Sequence, residues 1–114
     1  MNIDVLFAAV TVTELDRSQS WYERLFDRPP DILPNDDEAM WRVAESGWLY
    51  LTVDTERAGR SVVTMAVHAL DTVVADLADR DVALGATKVV PGAGRKARYA
   101  DPDGNLVWII EVDG

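Results

Sequence analysis

The chain has 114 residues, of which 48% are hydrophobic and 27% are charged, and it contains no cysteine. This composition is typical of a globular domain, and the lack of cysteine excludes disulfides, thiolate metal sites and cysteine nucleophiles. Eleven basic against twenty acidic residues give a net charge of −9, which disfavours nucleic acid as a partner. The apolar runs are too short to span a membrane and the first ten residues lack a signal-peptide pattern, so we expect a cytoplasmic protein with no membrane partner.

Four stretches show the alternation of side chains that is typical of strands with two different faces. They are residues 7–12, 48–53, 62–68 and 106–110. In each stretch one face is small and aliphatic, which suits packing beneath a helix, while the other face collects aromatic rings and hydroxyl groups. Shorter strands are predicted at 40–44, 87–90 and 98–100, and three prolines predict an irregular, extended segment over 28–38.

Two helices are predicted between these strands. Asp16 is expected to cap the first helix, with Gln19 completing a capping-box arrangement, and Asp71 is expected to cap the second. Apolar residues then follow at the spacing of one helical face, which in the first helix includes Trp21 and Tyr22.

The two halves of the chain repeat each other. Val12 and Val67 lie 55 residues apart, and the predicted helices begin at the same separation. The spacing predicts two copies of one unit, over about residues 1–58 and 59–114. Neither copy alone can cover both faces of its sheet, so we expect the pair to form a single domain over 1–114.

Two motifs resemble those of a known superfamily. The stretch from Val10 to Phe26, VTVTELDRSQSWYERLF, resembles the first strand and helix of vicinal oxygen chelate proteins, which include glyoxalase I, bleomycin-resistance proteins and extradiol dioxygenases. The segment from Asp101 to Trp108, DPDGNLVW, resembles the turn into their last strand. The resemblance implies an α+β fold of two tandem βαβββ modules, whose curled mixed sheets form a cup, and it implies a homodimer.

In metal-dependent members of this superfamily, His, Gln or Glu side chains from four strands hold a divalent cation in the cup. The resemblance places the corresponding positions of this sequence at Phe7, Val62, Trp108 and Tyr50, with Trp48 as the alternative to Tyr50. None of these side chains is a metal ligand at neutral pH. We therefore expect no metal, no other cofactor and no catalytic residue of the family type.

The predicted cup instead has an aromatic lining. Its expected ligand-binding residues are Phe7, Trp41, Trp48, Tyr50, Val62, Thr64, His68 and Trp108. Such a lining favours a small, planar or aromatic organic ligand, although the same rings could fill the cup themselves. The lone histidine is expected at most to form a hydrogen bond to the ligand. The basic residues Arg95, Lys96 and Arg98 either contact an anionic group of the ligand or are solvated charges.

Three hypotheses follow for the function. The first is a metal-free protein that binds or sequesters a small molecule, as bleomycin-resistance proteins do. The second is a lyase, isomerase or dioxygenase that uses atypical residues or an unusual metal site. The third is a structural dimer whose cup is filled by its own side chains.

Overall fold

Each half of the chain folds into one strand, one helix and three further strands. The computed structural model describes residues 1–92 and 94–112. The first module contains β1 (Leu6–Val12), α1 (Leu15–Phe26), β2 (Ile32–Asn35), β3 (Glu38–Ala44) and β4 (Gly47–Val53). The second contains β5 (Val62–Val67), α2 (Leu70–Asp79), β6 (Ala86–Val90), β7 (Gly94–Ala100) and β8 (Leu106–Glu111). This order confirms the predicted tandem βαβββ fold. Residues 113–114 of the predicted second copy, and Ala93 within its basic loop, lie outside the described residues.

Each module builds one four-stranded mixed sheet. The strand orders are β1-β4-β3-β2 and β5-β8-β7-β6. The first strand of each module runs parallel to the last, and the remaining pairs are antiparallel. Neither described helix, of 12 and 10 residues, is long and apolar enough to cross a membrane.

The first sheet has a strand that the sequence analysis did not predict. β2 lies within the segment that we expected to be irregular, and it includes Pro34. It is at the edge of its sheet, where it pairs with β3 alone. An edge strand tolerates proline because one side of its backbone needs no ladder partner.

The predicted helix caps are wrong in both modules. The N-cap residues are Glu14 and Ala69, neither forms a side-chain cap, and Asp16 and Asp71 lie inside the first helical turns. A carboxylate from a distant segment serves the start of α2, where the backbone amide of Leu70 donates to Glu111 at 3.0 Å. The spacing of residues around a helix start cannot predict a capping group that belongs to a distant strand.

The aliphatic strand faces pack beneath the helices as predicted. Val10 and Val12 of β1 and Leu49 and Leu51 of β4 are buried, and so is Tyr22 of α1. Burying a side chain of this size contributes about 1.5–3 kcal/mol, so this layer is a main source of stability.

The turn between β7 and β8 joins the two modules. The buried carboxylate of Asp101 accepts hydrogen bonds from the Tyr22 hydroxyl at 2.9 Å and from two backbone amides of its own turn at 2.9 Å. Asn105 donates to the Thr11 carbonyl at 2.8 Å and accepts from the Ser61 amide at 2.8 Å. We term residues 101–105 the junction turn, because its side chains connect β1, α1 and the start of β5.

The C-terminal ends of the two helices also contact each other. The Arg80 guanidinium donates to the carbonyls of Arg24 at 2.6 Å and Leu25 at 3.2 Å, while Arg24 donates to the carbonyl of Asp81 at 3.2 Å. These cations satisfy carbonyl groups that a helix end leaves without intrahelical partners.

Candidate functional site

The sheet surface opposite the helices is termed the open face of each module. In the first module it includes Phe7 of β1 and Trp48 and Tyr50 of β4, none of which is buried. The rings of Phe7 and Trp48 stack with centroids 6.1 Å apart and planes inclined by 25°. Phe7 is 52% exposed, so much of this stacked pair meets solvent.

The open face of the second module combines one large ring with cations. The Trp108 indole lies in β8, and the Lys96 ammonium is 4.2 Å from its ring centroid. The Lys88 ammonium and the Arg98 guanidinium carbon lie at 5.6 Å and 5.8 Å. Cations near an indole face are attracted by the negative charge of the π system. The two open faces therefore carry different chemistry on equivalent strands.

The strand register confirms that the aromatic positions correspond between the modules. Tyr50 lies opposite Ala9 and Met40, and Trp108 lies opposite Thr64 and Arg98. Both rings thus occupy the same place on the fourth strand of their module.

A divalent cation does not fit the positions that the resemblance assigns to metal ligands. Phe7 and Val62 lie on the first strands of the modules, and Tyr50 and Trp108 lie on the last. Phenyl, isopropyl and indole groups are not ligands, and a phenol ionises only near pH 10. Over residues 1–92 and 94–112, no group of three or more His, Cys, Asp or Glu side chains could hold a metal ion. We therefore derive no chemical step through a metal.

The prediction that Trp41 lines the cup is wrong. Its side chain is fully buried on the helix side of β3, where its ring centroid lies 6.2 Å from that of Tyr22 and 5.6 Å from that of Phe26. The indole nitrogen donates to the Arg28 carbonyl at 3.1 Å. Trp41 is therefore part of the core.

The basic cluster is also composed differently from the prediction. Arg95 points towards α2, where it pairs with Asp71 at 3.0 Å and Glu111 at 3.1 Å, so it does not join Lys96 and Arg98. The contact with Asp71, followed by that with Glu111, raises the pKa of the Arg95 guanidinium. Lys88, which the sequence analysis missed, takes its place beside Trp108. The pairing of Lys88 with Lys96 in the β6–β7 hairpin is the signal that would have identified it.

The remaining predicted ligand residues lie on β5 or just beyond its end, and Thr64 is directly opposite Trp108. Val62 and Thr64 are exposed on the open face of β5, and His68 is exposed in the bend just beyond the end of that strand. Within the part of the chain that the structure describes, the His68 side chain forms no hydrogen bond that would orient it as an acid or base.

A cavity of about 620 Å³ lies between the modules, along β5. Its walls include Leu25 and Phe26 of α1, Leu77 of α2 and the β5 residues 64–67. Arg28 also borders it, but this guanidinium is held by Asp31 at 2.7 Å. Sequence patterns did not predict this cavity, because its shape depends on how the two modules dock. Thr64 is the predicted ligand residue that borders it.

Solved structures with the same architecture cover nearly the whole chain. A glyoxalase/bleomycin resistance protein from Catenulispora acidiphila DSM 44928 is 33% identical, with a TM-score of 0.89 over 96% of this chain and 98% of that protein. TnmS3, an antibiotic-binding protein from Streptomyces sp. CB03234, is 22% identical, with a TM-score of 0.75 over 96% of this chain and 95% of that one. A bleomycin-binding protein from Streptomyces verticillus, in complex with copper(II)-bleomycin, is 16% identical, with a TM-score of 0.79 over 99% of both chains. No protein-family model and no curated protein sequence matches this chain.

Proposed function

Because this chain belongs to the glyoxalase/bleomycin resistance protein family of the vicinal oxygen chelate superfamily, we propose that it binds a small, flat organic molecule without a metal ion. The main support is the stacking of Phe7, which is 52% exposed, on the partly exposed Trp48, on the sheet face opposite the described helices. The ligand lies against this pair and replaces water on the rings.

The energetics of the rings favour such a ligand. An exposed stacked pair leaves apolar area in water, which costs roughly 25 cal/mol per Å². A flat ring system that covers the pair recovers this area and adds about 0.5–1.5 kcal/mol for each well-placed aromatic contact. Ala9 and Thr11 continue the same face of β1 with small side chains, so they do not crowd a molecule that lies along the strand.

The solved structures give independent support for a binding role. TnmS3 binds an antibiotic and the Streptomyces verticillus protein binds bleomycin, and both share the fold of this chain. A metal-free role for this chain is supported by its own side chains, because Phe7, Tyr50, Val62 and Trp108 cannot coordinate a divalent cation.

We further propose that the chain is a homodimer, in which a second copy closes the open faces into a cup. Phe7 and Val62, which lie on the open faces, are each more than half exposed, and exposed apolar patches mark interaction or ligand surfaces. Light scattering coupled to size exclusion should give twice the chain mass of 12.6 kDa. A species at 12.6 kDa over the concentration range used for ligand binding would contradict the dimer.

The binding function is tested with N-phenyl-1-naphthylamine, a neutral and flat molecule whose fluorescence rises on apolar surfaces. We expect saturable binding, and we expect Phe7→Ala to weaken it about tenfold, which corresponds to about 1.4 kcal/mol. Val89→Ala is the matched control, because Val89 is 76% exposed but lies on the helix side of β6. Absence of saturable binding, or equal losses in the two variants, would overturn the proposal.

A further inference from the structure

Three cations converge on one ring of the second open face, although the chain as a whole is strongly acidic. Lys88 and Lys96 lie directly opposite each other in the β6–β7 pair, and Arg98 lies opposite Trp108 in the β7–β8 pair. All three charged groups lie within 5.8 Å of the Trp108 ring centroid. Like charges at directly opposed positions of a sheet destabilise the pairing, so this arrangement carries an uncompensated repulsion.

Several other cations of the chain have anionic partners, whereas Lys88, Lys96 and Arg98 have none among the described residues. Arg17, Arg28, Arg57 and Arg95 each form an ion pair with a carboxylate within 4.0 Å. Among residues 1–92 and 94–112, no carboxylate lies within that distance of the cations around Trp108. What distinguishes these cations is that three of them surround one ring without a described carboxylate between them, in a chain with a net charge of −9.

We propose that Trp108 and these three cations form the anion-binding part of the ligand site, so that the natural ligand is a flat aromatic acid with a carboxylate or sulfonate group. This inference rests on the binding function proposed above and narrows it to one class of ligand. The guanidinium of Arg98 can donate two parallel hydrogen bonds to a carboxylate, and the flexible lysine side chains can turn from the indole towards the same anion.

The neighbouring residues suit both parts of such a molecule. The Trp108 indole offers an apolar surface for the ring system once the ammonium groups have turned away. Thr64 lies opposite Trp108 on β5 and is exposed, so its hydroxyl can donate to a second oxygen of the anion. A neutral molecule leaves the three charges uncompensated, and a cationic molecule is repelled by them.

The test compares two dyes with the same ring skeleton. The dye 8-anilinonaphthalene-1-sulfonate carries a sulfonate, and N-phenyl-1-naphthylamine lacks it. We expect the unmodified protein to bind the sulfonate at least about tenfold more tightly than the neutral dye. This preference should shrink when the salt concentration rises from about 0.05 M to about 0.5 M, because salt screens the charges.

Substitutions locate the preference. The double variant Lys96→Gln/Arg98→Gln should bind both dyes with equal affinity, within about twofold, and its affinity for the neutral dye should match that of the unmodified protein. Lys88→Gln changes a single exposed lysine and should lower the preference about threefold, which keeps the test usable if the double variant folds poorly. Arg57→Gln removes the same unit of charge from the loop before β5 and should keep the full preference.

The outcomes separate this inference from the binding function. If the neutral dye binds but the sulfonate has no advantage, the aromatic-acid assignment is wrong and the binding function stands. If Arg57→Gln lowers the preference for the sulfonate dye as strongly as Lys88→Gln does, the preference reflects the overall charge of the protein. That result also overturns the assignment. If neither dye binds, the binding function itself fails.

Discussion

Two turns at equivalent places in the modules differ in what they do. The junction turn connects β7 to β8, and a turn at residues 45–46 connects β3 to β4 in the other module. Asp101 is 5% exposed and bonded to the opposite module, whereas Val43, its counterpart by strand register, is 37% exposed. Of these two equivalent positions, one therefore carries a buried polar contact between the modules and the other carries an exposed apolar side chain.

The end of β3, where Val43 lies, is next to a space between the modules. Val43 and Ala44, the last two residues of β3, border the cavity between the modules. The duplicated fold therefore leaves room between the modules beside the end of β3, whereas the polar side chains of the junction turn form hydrogen bonds with the first module.

The largest expected effect comes from the carboxylate of the junction turn. Asp101→Ala leaves the Tyr22 hydroxyl, the Asn105 side-chain amide and two backbone amides without their acceptor. Burial, together with the charge of Asp101, already raises the pKa of Tyr22, so the phenol stays a proton donor. We expect the free energy of unfolding to fall by about 3–5 kcal/mol, measured by urea denaturation. Val43→Ala, at the equivalent position in β3, should cost less than about 1 kcal/mol, and a cost equal to that of Asp101→Ala would contradict the comparison.

A smaller effect is expected at the glycine that joins the modules. Gly59 has a φ of +86°, and an added Cβ would lie 2.5 Å from the backbone oxygen of Asp103. Gly59→Ala should therefore lower the free energy of unfolding by about 2–3 kcal/mol, because neither backbone can move without disturbing the junction turn. Gly47→Ala meets only an ordinary contact at 3.5 Å and should cost less than about 1 kcal/mol. Thermal and urea denaturation measure the free energy of unfolding of the two variants. Equal losses in Gly59→Ala and Gly47→Ala would refute the prediction.

The smallest expected effect is a dependence on acid. Burial raises the pKa of Asp103, but hydrogen bonds from the Thr13 hydroxyl and amide, the charge of Arg17 and a hydrogen bond from Ser18 outweigh it and hold the pKa below its usual value. Because the folded pKa lies below that of the unfolded chain, the stabilisation is present above about pH 4 and is lost as the pH falls through the folded value. Asp103→Asn should cost about 1 kcal/mol at pH 7 and flatten the loss of stability below pH 4, as followed by urea titrations at several pH values. An unchanged acid dependence in this variant would show that Asp103 does not contribute.

Most of the fold followed from the sequence because its signals are local or periodic. Alternation placed β1, β4, β5 and β8 to within a residue at each end, and the 55-residue repeat predicted the duplication, whereas β3 and β7 begin two and four residues before their predicted starts. The failures involve partners from elsewhere in the chain. β2 needs only β3 to form, and the start of α2 depends on Glu111, so neither is encoded in its own segment.

The candidate site was predictable where a strand had a clear alternation. Phe7, Tyr50 and Trp108 follow from the parity of β1, β4 and β8, and they lie on the open faces. Trp41 was misplaced because the face of β3 is set by its pairing with β4, which puts Trp41 opposite Leu49 on the helix side. Lys88 was missed for the same reason, since only the hairpin register brings it beside Lys96.

The polar bonds across the junction also bear on how the chain could be divided. Tyr22 and Asp101 are 79 positions apart in the sequence, and Thr11 and Asn105 are 94 apart. These hydrogen bonds therefore join the first module to the second. Cleavage in the loop around Gly59 would leave Thr11 and Tyr22 on one fragment and Asp101 and Asn105 on the other. Each fragment would then lack its partners in these hydrogen bonds. The modules would then be held together only by these hydrogen bonds and the other non-covalent contacts between them, without the covalent link at Gly59.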